Sequence, residues 1–221
     1  MHKKRLAMGM CLLTVTAVSL LASGCSSEGA GSSGGKPRNP AVSRDRAVPL
    51  DFSRLKQAMP DLQSMPTGWK AGATRLQGRD TPRDAPCRRP KGGCQGKRSN
   101  AAVQYDNAES TGNVYIEASA FDDSGTARSG FEQRRASFAG PKDREVSMPK
   151  VGDESIARTG FHKYSGQPLV SMVMRVDTVV VAMVYTQEAT ASPETLLSLA
   201  RMQAKRLQQA QRGEIPTADA R

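Results

Sequence analysis

The sequence is poor in the residues from which reactive centres are usually built. Its 221 residues include two histidines, four cysteines and 5% aromatics. Four cysteines in a chain of this length are too few for a disulfide-dense miniature scaffold. Long apolar runs are equally scarce. The one that exists lies at the extreme N-terminus, which excludes a protein crossing a membrane several times, and the length excludes a large multidomain enzyme. Acidic residues are outnumbered by basic ones, 21 against 32, for a net charge of +11. What remains is the composition of one modest domain with a basic bias.

His2, Lys3, Lys4 and Arg5 precede an apolar stretch from Leu6 to Ala22 that is interrupted by Gly9, Thr14, Thr16 and Ser19. That stretch is too short and too polar to span a bilayer comfortably, and a basic start followed by a short apolar core reads as an export signal. Leu21, Ala22, Ser23 and Gly24 close it, followed by Cys25. This boundary resembles the lipobox of bacterial lipoproteins. The resemblance implies cleavage before Cys25, a diacylglycerol on its sulfur, and anchoring to the outer face of the cytoplasmic membrane. The family prefers Leu three positions before the cysteine, where this chain has Ala22. An ordinary signal peptidase also favours small residues at the positions of Ala22 and Gly24. It would cut the same bond and leave a secreted protein.

From Ser26 to Pro49, twelve of twenty-four residues are Gly, Ser or Pro, with little to bury. Such a segment is expected to be a disordered tether with a typical reach of about 27 Å. The chain therefore divides into a signal at 1–24, a lipidated Cys25 with its tether at 25–49, one extracytoplasmic domain at 50–213, and a flexible tail at 214–221.

Cys11 falls within the signal and Cys25 is taken by the lipid, so Cys87 and Cys94 remain in an oxidising compartment. A disulfide between them closes a short loop worth about 2.5 kcal/mol in the chain-entropy picture, enough to pin a loop but not to hold a fold. A metal pair would need further ligands, and His162, the one histidine after processing, is far away in sequence.

The periodicity of the remaining chain predicts a short helix over 51–59 ended by Pro60, and a weak strand over 69–75. Residues 76–100 read as a loop rich in Arg, Pro, Gly and Asp, with regular structure resuming at Ala101. Strands at 101–106 and 113–122 flank a hairpin loop, with Val114, Ile116, Ala118 and Ala120 facing inward. Ser124 is expected to cap a helix that Gly140 and Pro141 stop. Arg144 to Met148 and Glu154 to Thr159 follow as short extended segments. Pro168 to Val176 and Thr178 to Thr186 turn around Asp177. The second of these is apolar on both faces, so it belongs mid-sheet with helices on each side. Ser192 and Pro193 open the last helix and Gly213 ends it, with Arg201, Lys205 and Arg206 expected on its solvated face.

This order argues for an α+β domain, a twisted antiparallel sheet of about six to seven strands with helices packed against it. The tracts PTGW at 66–69, VGDESIAR at 151–158 and VMRVDTVVVAMV at 173–184 resemble small actinobacterial surface lipoproteins and the related extracellular sensor domain of mycobacterial serine/threonine kinases. The resemblance implies the same sheet-and-helix fold with one or two disulfides. It brings no common catalytic residue set with it.

Direct searches for chemistry find no catalytic set, metal site or cofactor. His162 sits beside Lys163 in a polar turn and reads as a surface residue. Asp122 and Asp123, and likewise Asp153 and Glu154, are adjacent acids whose side chains would point opposite ways in a strand. Asp153 suits a turn hydrogen bond after Gly152. The glycine-rich run at 31–36 precedes no helix, so it does not form a phosphate loop.

Charge carries more information. Between residues 71 and 98 lie Arg75, Arg79, Arg83, Arg88, Arg89, Lys91, Lys97 and Arg98 against Asp80 and Asp84, a net +6, while the chain from Cys25 onward carries +8. A candidate surface for an anionic partner follows, centred on Arg83, Arg88, Arg89, Lys91, Lys97 and Arg98. Its partner would be a wall polymer, phospholipid headgroups or an acidic protein. Solubility alone is the other reading of these charges. Nucleic acid is excluded, since aromatics are not interleaved with the basic residues and the compartment is wrong. Three roles remain: a lipid-anchored binding or sensing module, a small envelope enzyme with dispersed residues, or a structural accessory. Non-reducing peptide mapping of the exported protein is expected to join Cys87 to Cys94, and two free thiols there would remove the pinned loop.

Overall fold

The computed structural model describes residues 48–81, 96–138, 140 and 142–220. The first helix, α1 (Phe52–Ala58), starts where the Asp51 carboxylate accepts the Arg54 amide at 2.9 Å and ends at Met59 before Pro60. The weak strand expected over 69–75 shortens to β1 (Lys70–Ala71). Residues 77–80 were expected to be loop and instead form β2 (Gln77–Asp80). All four are exposed, so no alternating pattern marks them; backbone pairing with β3 holds the strand, and the Asp80 carboxylate accepts the Phe52 amide at 2.7 Å. Gly78 is required there, because a Cβ would lie 2.0 Å from the Asn100 carbonyl oxygen.

The third strand, β3 (Lys97–Asp106), begins four residues before the expected Ala101 and pairs with β4 (Gly112–Phe121). In their hairpin loop the Asn107 side-chain oxygen accepts the amides of Thr111 and Gly112 at 3.0 and 3.2 Å. The second helix, α2 (Ser124–Ser137), is capped by Asp123 rather than Ser124. A carboxylate one residue earlier reaches the Thr126 amide at 2.8 Å, and the Thr126 hydroxyl accepts the Asp123 amide in return. Then come β5 (Arg144–Val146), β6 (Glu154–Phe161), β7 (Pro168–Val176), β8 (Val179–Gln187) and α3 (Pro193–Gln211). Past α3, Gly213 adopts φ +78° and donates to the Ala210 carbonyl, while Glu214 donates to Gln209. That is a Schellman termination.

The fold is α+β. Eight strands form one antiparallel sheet in the order β1-β3-β4-β8-β7-β6-β5, with β2 also on β3. The extra strand relative to the sequence expectation is β2. The helix α2 carries the chain from the β3–β4 hairpin across to β5, and a meander returns it to pair β8 with β4. Met172, Met174, Val181 and Met183 face α1 and α3, where they pack with Leu55, Leu199 and Leu207. Val173, Val180 and Ala182 face α2, where they meet Ala127 and Phe131. Gly130 lets α2 approach this closely, since a Cβ there would sit 2.4 Å from the Phe121 ring.

Two expectations for the last helix and the residues after it are corrected. Arg206 does not face solvent and is only 5% exposed. Its guanidinium donates to the carbonyls of Gln57, Ala58 and Met59 at 3.2, 3.4 and 3.1 Å, and to Ala218 at 3.2 Å. Gln203 adds a donor to the Ala58 carbonyl at 3.2 Å. A cation thus meets the negative end of α1 and satisfies carbonyls that the helix leaves open. The same arginine helps to hold residues 214–220, expected to be a flexible tail. These residues lie back on α3 through Gln209, which accepts the amides of Thr217 and Ala218, and reach the segment after α1, where the Ala220 amide donates to the Ser64 carbonyl. Replacing Arg206 with Ala strands these buried carbonyls, so chemical denaturation should show a loss of about 2–4 kcal/mol.

Candidate functional site

The strand ends divide the charged groups of the domain. Lys97 pairs with Phe121 at one end of the β3–β4 ladder, and Asp106 pairs with Asn113 at the other. Lys97 and Arg98 therefore share the first end. Arg98 forms an exposed ion pair with Asp122 at 3.3 Å, of a kind worth at most about 1 kcal/mol. Lys97 lines a cavity of about 180 Å³ between α2 and the sheet, together with Glu117, Ser119, Gln133, Arg134 and Ser137. One wall is the Arg134–Glu117 ion pair, and Arg134 also lies 5.1 Å above the Phe138 ring. This space is smaller than the roughly 300–1,000 Å³ of typical small-molecule sites, and its carboxylate is already paired with Arg134.

The chain enters the described domain at the same end. Val48 donates its amide to the Gln211 carbonyl at 3.3 Å, and Ser99 donates its hydroxyl to the Leu50 carbonyl at 2.9 Å. Thr81, the last described residue before the basic segment, donates its amide to Arg98 at 2.6 Å. Cys25, Arg83, Cys87, Arg88, Arg89, Lys91 and Cys94 lie outside the described residues. Of the six basic residues singled out by sequence, Lys97 and Arg98 are brought together here.

The adjacent acids serve structure. Asp122 pairs with Arg98 and Asp123 caps α2. Asp153 and Glu154 converge on Arg175, whose side chain is 8% exposed, at 3.1 and 2.7 Å. The expectation of opposed side chains fails because Asp153 precedes β6 and is free of its alternation. The Arg175 hydrogen bond, helped by Arg128, holds the Glu154 carboxyl below its ordinary range, while burial and then Asp153 push Asp177 up. Asp153 also accepts the Asp177 amide at 2.6 Å. The cluster thereby locks the β7–β8 turn, where Asp177 takes φ +50°. Its carboxylates are committed to fixed donors, which suits a clamp and not proton transfer. His162 contacts the Ser165 hydroxyl at 2.9 Å in the exposed β6–β7 loop. Among the described residues no group of three or more His, Cys, Asp and Glu could hold a metal ion, and no helix is long and apolar enough to cross a membrane.

Two larger spaces lie on the α1/α3 side. One, of about 450 Å³, is lined by Asp61, Leu62, Arg75, Leu76, Val103 and Tyr105. Tyr105 donates its hydroxyl to the Pro60 carbonyl at 2.7 Å, and burial, with Asp61 nearby, pushes its phenol up to about 12. The other is a cleft of about 440 Å³ at the end remote from Lys97, where Trp69 and Tyr185 meet Asn107, Glu109, Gln187, Thr195 and Ser198. Sequence reasoning found neither. The signal available for the second was the lone tryptophan of the PTGW turn.

No family model matches the chain, and no curated protein matches it. Among solved structures it is similar to the extracellular domain of PknH from Mycobacterium tuberculosis, at 12% identity, covering 76% of this chain and 100% of that one, with a TM-score of 0.49. It is also similar to an uncharacterised protein from Mycobacterium smegmatis at 13% identity, covering 79% and 99%, with a TM-score of 0.37.

Because the phenol of Tyr105 is raised, the fold favours its neutral form. The associated stability is present below the ordinary value of 10 and is lost as pH rises toward about 12. Ultraviolet titration of the phenolates is expected to show this late step, and Tyr105→Phe to remove it.

Proposed function

We propose that this chain is a lipid-anchored extracytoplasmic binding module that engages an anionic component of the cell envelope. The observation that carries the reading is the boundary at Gly24 and Cys25, which closes a short apolar signal and opens a Gly/Ser/Pro-rich segment. Two acyl chains make such anchoring stable, because each buried methylene contributes about 0.8 kcal/mol.

The position of Val48, Leu50, Lys97 and Arg98 at one end of the sheet supports a further step. A chain held by its N-terminus keeps that end within the reach of its tether from the bilayer. The basic segment between Thr81 and Gly96 joins the sheet at the same end, so anionic phospholipid headgroups are a partner within its reach. Each Lys or Arg near such a surface contributes about 1 kcal/mol, less at high salt. The commitment of the adjacent acids Asp122, Asp123, Asp153 and Glu154 to ion pairs and a cap supports binding over catalysis at those positions.

Mass spectrometry of the mature N-terminus should find a diacylated Cys25, and Cys25→Ala should release the protein from membranes. An unmodified sulfur there ends the anchor reading. Binding of the full chain to phosphatidylglycerol vesicles should weaken about tenfold or more when Arg88, Arg89 and Lys91 are all changed to Ala. It should weaken with salt as well, and salt-independent binding discards the electrostatic part.

A further inference from the structure

We propose that the cleft at the end of the sheet remote from Lys97 is a binding site for a neutral carbohydrate. Four pieces of the fold build it. These are the turn from Pro66 to Trp69, the β3–β4 hairpin loop at Asn107 to Glu109, the end of β8 at Tyr185 and Gln187, and the first turns of α3 at Thr195 and Ser198. At about 440 Å³ it falls within the range of small-molecule sites, roughly 300–1,000 Å³.

Its chemistry is two-sided. One wall is aromatic: the partly buried Trp69 ring faces the cleft, backed by the Tyr185 ring, 6.3 Å away, inclined at 30° and itself only 3% exposed. The remainder carries neutral hydrogen-bonding groups and one carboxylate. Tyr185 donates its hydroxyl to the Gln187 side-chain oxygen at 2.5 Å, which turns the Gln187 amino group toward other partners. Ser198 donates to the Ala220 carbonyl at 3.3 Å, so its oxygen is left to accept. Thr195 lies one turn earlier on the same helix.

This lining selects among ligand classes. Among the described residues Glu109 is the charged side chain in it and no lysine or arginine lines it, so an anionic ligand would be repelled. A wholly apolar ligand would bury amides and hydroxyls without partners, at about 1–3 kcal/mol each. A pyranose ring satisfies both halves. Its C–H face lies against the electron-rich face of an aromatic ring, and its hydroxyls both donate and accept at the rim.

The walls are also set in advance. Asn107 ties its own loop through the amides of Thr111 and Gly112. Gly68, at φ +85°, brings the tryptophan turn so close to that loop that a Cβ would sit 2.9 Å from the Ala108 side chain. Ordering costs on binding are correspondingly small.

Trp69 is the single tryptophan of the chain, so its fluorescence reports on this cleft alone. The full-length protein is to be titrated with maltotriose, cellotriose, mannotriose and the N-acetylglucosamine trimer. At least one should give a saturable change that is the same at low and high salt. Calorimetry should show Thr195→Val and Gln187→Leu each weakening that ligand by about three- to tenfold, one hydrogen bond apiece, with Trp69→Phe retaining the fold and part of the affinity. Absence of saturable binding for all four sugars overturns the proposal, as does binding that falls with salt or survives both polar substitutions unchanged. Cys25→Ala protein should bind the sugar equally, so failure of the lipid anchor and failure of this site are read separately.

Discussion

The β7–β8 hairpin has no solvent face. Met172, Met174, Val181 and Met183 project to one side, and Val173, Val180 and Ala182 to the other. Leaving either set wet forfeits about 25 cal/mol for each Å² of apolar surface that burial would remove from water. Cover on both faces is therefore the constraint from which the architecture follows. The helices α1 and α3 close one side and α2 closes the other, which requires the chain to cross the sheet between β4 and β5. With the faces of the hairpin occupied, the ends of the strands and their loops are left to carry recognition. The cleft at Trp69 and the basic end at Lys97 both lie there.

Much of this was legible in the order of the residues. The hairpin, the inward set on β4, the stop of α1 before Pro60 and the caps of α3 announce themselves because each depends on local chemistry: alternation, a proline, a polar N-cap, or a glycine past the last turn. Apart from the cap of α2, which moved by one residue for a local reason, the failures share a cause: a distant partner decided the outcome. Gln77 to Asp80 carry no strand signature, because pairing with the distant backbone of β3 makes them a strand. Arg206 reads as a surface cation by its type, and only the arrival of α1 against α3 gives it carbonyls to bind. Residues 214–220 have an unremarkable composition, yet side chains of α3 hold their backbone.

Legibility of the candidate surfaces differed in kind. Lys97 and Arg98 could be picked out because charge accumulates along the sequence itself. The aromatic cleft assembles Trp69, Tyr185 and Thr195 from three separated regions, and no spacing rule links them. Tertiary assembly also explains Asp153 and Glu154, whose alternation argument assumed a strand that starts one residue later than their pair requires. Their joint grip on Arg175 fixes the tightest turn of the sheet.

The ladder between β3 and β4 gives the domain a long axis with unlike ends. The ten residues of β4, from Gly112 to Phe121, rise about 3.3 Å each and so extend roughly 33 Å. Val48 comes in near the foot of that axis and Trp69 lies near its head. A ligand seated in the aromatic notch and a polyanion held at the basic foot would thus stay a whole strand apart, too far to touch one another.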